Sequence, residues 1–168
     1  MRIFLTLFVA ISIWSVSNAK KPNIVIIFTD DQGYADLGCY GSKTNKTPRL
    51  DQLAKEGTIF TSFYTQTVCG PSRSALLTGR YPCRSKGWGM PAGEITFAEL
   101  IKGAGYQTAC IGKWHLGHQE KYMPLNHGFD IFYGIPYSND MRPEGRWDYA
   151  REAFPPLPFL DNMDTLGT

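Results

Sequence analysis

"NIVIIFTDDQG", residues 23–33, is the stretch on which the fold turns. Ile24 to Phe28 form an unbroken apolar run rich in β-branched side chains, bounded by Pro22 and by a polar Thr-Asp-Asp-Gln-Gly turn. A run so short, apolar on both faces, predicts a central parallel strand buried on both sides. The segments that follow alternate in type. "TPRLDQLAKEG" (47–57) predicts a surface helix, with Thr47 as cap, Pro48 at the first helical position, Leu50, Leu53 and Ala54 on one face and Gly57 as stop. "TIFTSFYTQT" (58–67) alternates aromatic and polar residues and predicts a strand. "PSRSALLTGR" (71–80) predicts a short helix opening at Pro71 and closing at Gly79. Beyond a glycine-rich loop at 86–94, Thr96 and Glu99 form a capping box for a helix that feeds the strand "YQTACIG" (106–112). This alternation predicts an α/β fold with a mostly parallel sheet. From Arg142 onward periodicity fades and prolines accumulate, predicting a long loop or the start of an insertion.

The first nineteen residues pair Arg2 with an apolar run from Ile3 to Val16 and small residues at Ser17 and Ala19. That pattern predicts a secretory signal over 1–19, cleaved after Ala19, because the run is short for a bilayer span. The rest of the chain, 20–168, reads as a single globular segment with no second membrane-spanning stretch. The composition of the whole chain, 43% hydrophobic and 19% charged over 168 residues, is that of a folded protein. A net charge of +2 with no basic run argues against a nucleic-acid partner. Export permits disulfides among Cys39, Cys69, Cys83 and Cys110, and the spacing of cysteines and histidines fits no zinc site.

Asp30 and Asp31 follow directly on the first expected strand, where α/β folds place ligands. Adjacent carboxylates at the edge of a core repel each other, and a hard divalent cation relieves that cost; the same pair also suits an ordinary turn. Cys69 lies at the mouth of the expected helix with Arg73 four residues on, an arrangement that favours negative charge. A disulfide half, a reactive thiol and a modified residue all remain open for it at this point. Lys113 and His115, two apart, would share a face of an extended segment. His118 and His127 read as structural histidines, and Asn45 heads an N-x-T sequon weakened by Pro48.

"CGPSRSALLTG" (69–79) resembles the C-x-P-S-R-x-x-x-x-T-G signature of the type I sulfatases, and "GYQTACIGKWHLG" (105–117) resembles their second signature. "NIVIIFTDDQGYADLGCYG" (23–41) and "HGFDIFYGIPYSND" (127–140) also look like family segments, nearest the branch of arylsulfatase A and the galactosamine-6-sulfatases. The resemblance implies an alkaline-phosphatase-like α/β sandwich, of which residues 20–168 would be the N-terminal part of the catalytic domain. It implies oxidation of Cys69 to formylglycine during export by a generating enzyme that reads Pro71 and Arg73. It implies a metal site of Asp30, Asp31 and modified Cys69, holding calcium in preference to magnesium. Arg73 would stabilise the nucleophile, Lys113 and His115 would hold hydroxyls and sulfate with His115 as base, and Ser138 would contact sulfate.

The implied activity is hydrolysis of a sulfate ester, aryl or carbohydrate with carbohydrate preferred, in a periplasmic, extracellular or lysosomal setting. The family's later metal and leaving-group residues do not occur in these 168 residues, which predicts that this segment alone is inactive. A phosphomonoester or phosphonate hydrolase on the same scaffold is the nearest rival; Cys69 argues against it, since such phosphatases present threonine or serine there. A non-catalytic secreted binding module is the other, and it requires Cys69 to stay a thiol or to form a disulfide.

Overall fold

Two glycines bring the two parallel strands together. In the computed structural model, which describes residues 20–84, 90–91, 93–141 and 154–168, β1 (Ala109–Lys113) pairs in parallel with β2 (Ile131–Ile135), in register from Ala109 opposite Ile131 to Lys113 opposite Ile135. Gly112 faces Gly134, whose φ is +156°, and a Cβ built on Gly134 would lie 2.0 Å from the Gly112 carbonyl oxygen. No side chain fits there. β3 (Phe159–Asp161) adds antiparallel to β2, and β4 (Asp164–Gly167) adds antiparallel to β3. Asn162, left-handed at φ 55°, turns the β3–β4 hairpin. Its side-chain oxygen accepts from Phe132 N–H at 3.1 Å while its own N–H donates to Phe132 O at 2.6 Å.

Four expectations are corrected. The four-stranded sheet, ordered β1-β2-β3-β4, is mostly antiparallel, only β1–β2 being parallel. The segment expected to stay irregular after Arg142 contributes the hairpin; with only Leu160 buried among its strand residues, it carries too little apolar alternation to register as a pattern. Residues 23–28 form no ladder, since β-branched content favours extended backbone but a strand exists only with a hydrogen-bonded neighbour. These residues belong to a compact unit ending at Gln32, separate from the unit Gly33–Thr168. Val25 and Ile27 within it are exposed. The expected strand 58–67 is irregular as well: a turn at 61–62 sets Phe60 beside Phe63, ring centroids 6.1 Å apart, so the alternation serves a local aromatic pair.

The helices follow their signals more closely. α1 (Pro48–Glu56) begins at Pro48 and ends at Gly57. Thr47 does not cap its backbone; the hydroxyl donates to Asp51 Oδ1 at 2.9 Å and accepts from Gly38 N–H at 2.8 Å. α2 (Cys69–Thr78) starts two residues before Pro71 and stops at left-handed Gly79, φ 66°. α3 (Phe97–Gly103) has the expected capping box, Glu99 N–H to Thr96 Oγ1 at 3.2 Å and Thr96 N–H to Glu99 Oε2 at 2.7 Å. The signal segment 1–19, part of the 86–94 loop and residues 142–153 lie outside the described residues.

The core gathers Leu77 from α2, Ala98 from α3, Phe132 from β2 and Leu160 from β3 around Trp114 and Leu116, just past β1. Trp114 is 2% exposed, meets Phe129 edge-on at 6.1 Å and stacks on His127 at 6.2 Å, and its indole N–H donates to Tyr122 O at 2.8 Å. His127, buried as expected of a structural histidine, is held below its ordinary 6.5 by desolvation, with Glu99 pulling partly back. A histidine lowered in the folded state contributes stability that is complete above the unfolded value of about 6.5 and is lost as acid charges the unfolded chain first. Urea midpoints of the full-length protein should therefore fall as pH drops below about 6.5. His127→Leu should show a shallower fall, and parallel slopes for variant and wild type would count against this account.

Candidate active site

α2 carries two of the expected site residues one turn apart. Cys69 is its first residue, behind the non-helical Val68, so the thiol sits where unpaired backbone N–H groups point outward. The i, i+4 spacing puts Arg73 on the same side of the helix. Ser72 locks the first turn: its N–H and hydroxyl both reach Val68 O, at 3.1 and 2.8 Å. Gly70 is buried, and a Cβ on it would lie 3.9 Å from His115 O, an ordinary contact.

The segment after β1 supplies the opposing wall. Trp114 N–H donates to Ile135 O at 2.9 Å and His115 N–H to Pro136 O at 3.0 Å, so the parallel pairing continues beyond the strands. With Trp114 anchored in the core, the chain bends at His115, whose φ of 61° is left-handed. A non-glycine residue in that region costs about 1–2 kcal/mol and persists only where its surroundings enforce it. The bend brings His115 Nδ1 to 3.2 Å from Cys69 Sγ. Arg73 reaches the same segment, its guanidinium donating to Lys113 O at 2.5 Å. Cys69, Arg73, Lys113 and His115 thus converge from α2 and the end of β1. Ser138, 5% exposed, lies three residues beyond β2, and its carbonyl accepts from Met141 N–H at 3.0 Å. No contact links Ser138 to Cys69 in the described geometry.

Asp30 and Asp31 are exposed carboxylates in the separate 1–32 unit, and Asp31 is left-handed at φ 52°. As hard oxygen donors they suit calcium or magnesium in kind. Among the described residues no three His, Cys, Asp or Glu side chains form a metal-holding group. Cys39, Cys69, Cys83 and Cys110 are all free thiols in this structure. Cys110 was not singled out by the sequence, yet it lies within electrostatic reach of Arg73. Burial pushes its thiol up to about 11, with the Arg73 charge pulling down against it. Its inward place in the β1 alternation was the available signal.

A thiol at a helix start, an arginine one turn on and an imidazole in contact make a site built to stabilise anionic groups. The chain belongs to the sulfatase family: the family profile described as Sulfatase matches residues 22–153. Arylsulfatase G of Rattus norvegicus is 44% identical over 167 residues, covering 94% of this chain and 31% of that protein. Arylsulfatase A of Homo sapiens is 49% identical over 138 residues, covering 74% of this chain and 27% of that protein. The crystal structure of Ps i-CgsB in complex with k-i-k-neocarrahexaose matches with a TM-score of 0.76 and 32% identity, covering 89% of this chain and 38% of that one. The chain therefore shares the α/β fold of sulfatases, and it spans about 30% of the length of the curated relatives it matches.

Proposed function

We propose that the whole protein hydrolyses sulfate esters, with a carbohydrate as the alcohol, and that residues 20–168 form the N-terminal part of its catalytic domain. The observation that carries this reading is the contact between Cys69, within C-x-P-S-R at the start of α2, and His115 of the G-K-W-H-L-G segment. The family match and the carbohydrate complex of the related Ps i-CgsB support the class of reaction and of substrate. In this reading Cys69 is converted to formylglycine during export by a generating enzyme, behind a signal at 1–19. The hydrated aldehyde would supply one hydroxyl to attack sulfur, with the ester S–O bond breaking to release the alcohol, and a second whose deprotonation would expel sulfate and restore the aldehyde.

Asp30 and Asp31 would hold calcium, which when bound withdraws charge from the nucleophile and from sulfate oxygens. The remaining work falls to the chain's own side chains. Arg73 presents a fixed positive fork along the face that carries residue 69. His115 stands within hydrogen-bond distance of that side chain and takes the proton whose removal drives sulfate elimination. Lys113 adds positive charge beside the sulfate, and Ser138 offers a hydroxyl to its oxygens.

The test is mass spectrometry of the Cys69 peptide from full-length protein, paired with turnover of matched aryl sulfate and aryl phosphate esters. An aldehyde at residue 69 and a preference for sulfate are expected. A retained thiol would favour the binding module, and a preference for phosphate would favour the phosphatase. The segment 20–168 alone should turn over no aryl sulfate above the uncatalysed rate, because each missing oxyanion donor costs about 3 kcal/mol of transition-state stabilisation.

A further inference from the structure

Tyr137 lies almost wholly inside, 3% exposed, and the sulfate chemistry described above gives it no role. Its hydroxyl lies 2.6 Å from Pro155 O and 3.2 Å from Pro156 O, so a single O–H is shared between two carbonyls. Both carbonyls belong to the segment that leads into β3. The β2–β3 ladder ends with Gly134 opposite Leu160, and Pro155, Pro156 and Pro158 have no backbone N–H with which to extend it. A side-chain bond thus takes over where the prolines end the backbone ladder. The ring is held as well: its centroid lies 5.0 Å from that of Phe154 and 5.7 Å from that of His118, and those two are 5.3 Å apart. A buried phenol costs free energy unless its O–H is paired, and this one joins two separate stretches of chain.

We propose that Tyr137 is a positioning residue: by clamping the 154–156 segment it holds the neighbouring Ser138 where that serine meets the sulfate. The inference rests on the sulfatase reading, which gives Ser138 its contact with sulfate. On one side of Tyr137, Pro136 is fixed through its carbonyl, which accepts from His115 N–H at 3.0 Å. On the other side the Ser138 carbonyl accepts from Met141 N–H at 3.0 Å, a bond within one turn that shapes the chain locally without reaching another element. The Tyr137 side chain, one residue away, supplies a tie to the chain before β3. Hydrogen bonds weaken steeply as distance and angle depart from their optimum, so a small drift of this segment would cost Ser138 its grip on a sulfate oxygen. The Tyr137 ring and hydroxyl are themselves engaged by His118, Phe154 and the two prolines, so the residue acts through Ser138 and not on the ester.

The test is a double-mutant cycle in the full-length protein bearing formylglycine, read by kcat/KM for an aryl sulfate and by calorimetric affinity for inorganic sulfate. Tyr137→Phe removes the hydroxyl and keeps the ring. It should lower both readings about fivefold to tenfold in the wild-type background, a large part of the worth of one hydrogen bond to a charged group. In the Ser138→Ala background the same change should alter them by less than about twofold, because the residue through which it acts has lost its hydroxyl. Phe154→Leu, which loosens the clamp from its other side, should follow the same pattern and takes the place of Tyr137→Phe in the cycle if that variant does not fold. An undiminished loss in the Ser138→Ala background would overturn the inference, since Tyr137 would then act elsewhere, and so would a Tyr137→Phe variant as active as wild type. A Ser138→Ala variant with full activity toward aryl sulfates would also overturn it while leaving the sulfatase reading in place. A wild type that cleaves no sulfate ester removes both.

Discussion

Cys69→Ala in the full-length protein should cut sulfate ester turnover by on the order of 10^3-fold or more, because it removes the thiol whose oxidation generates the aldehyde that, once hydrated, is the nucleophile. Folding should be little affected: Cys69 is half-buried at the first turn of α2, and the Ser72 contacts that lock this turn to Val68 are untouched. Melting temperature is thus the control that separates lost chemistry from lost structure. Cys69→Ser is the sharper variant. A serine has one hydroxyl, able to take up a sulfuryl group but with no second hydroxyl to expel it. The expected result is a single turnover at most, visible as a stoichiometric burst with residue 69 left sulfated. Sustained multiple turnover by the serine variant would contradict the formylglycine scheme directly.

Trp114→Ala should destabilise the full-length protein by about 3–5 kcal/mol, the usual range for truncating a buried aromatic. Trp114 touches Phe129 and His127, and its N–H is the partner of Tyr122 O, so the variant leaves both a void and a carbonyl without its donor. The loss should reach the active site too, because Trp114 is the anchor between Lys113 and His115. Urea unfolding monitored away from tryptophan fluorescence measures the first effect, and a fall in kcat at temperatures where the variant remains folded measures the second. A cost below about 1 kcal/mol would show that the indole is not the pivot of this core.

The clearest structural signals in the sequence were local ones. The Thr96–Glu99 box and Gly79 mark a helix start and a helix stop through hydrogen bonds and backbone angles that need no distant partner. The apolar run 24–28 and the alternation 58–67 misled because strand formation depends on a neighbour, which no pattern inside the segment supplies. The hairpin at 159–167 escaped notice for the opposite reason: one buried side chain and an asparagine turn hold it, and neither produces a period. At the site, the i, i+4 relation of Cys69 and Arg73 follows from spacing once a helix is assumed. The left-handed bend that carries His115 to Cys69 does not, since histidine seldom adopts that conformation and only the pairing to Pro136 and the anchoring of Trp114 impose it.

The twist at residue 115 means the imidazole is delivered ready-made. Its orientation is fixed during chain folding, so an arriving ester need not spend binding energy on ordering that group, and little rearrangement should separate the empty from the loaded pocket. The same arrangement makes this position a place where robustness and reactivity pull apart: residues that relax the backbone there lack the ring, and residues that keep the ring inherit the strain.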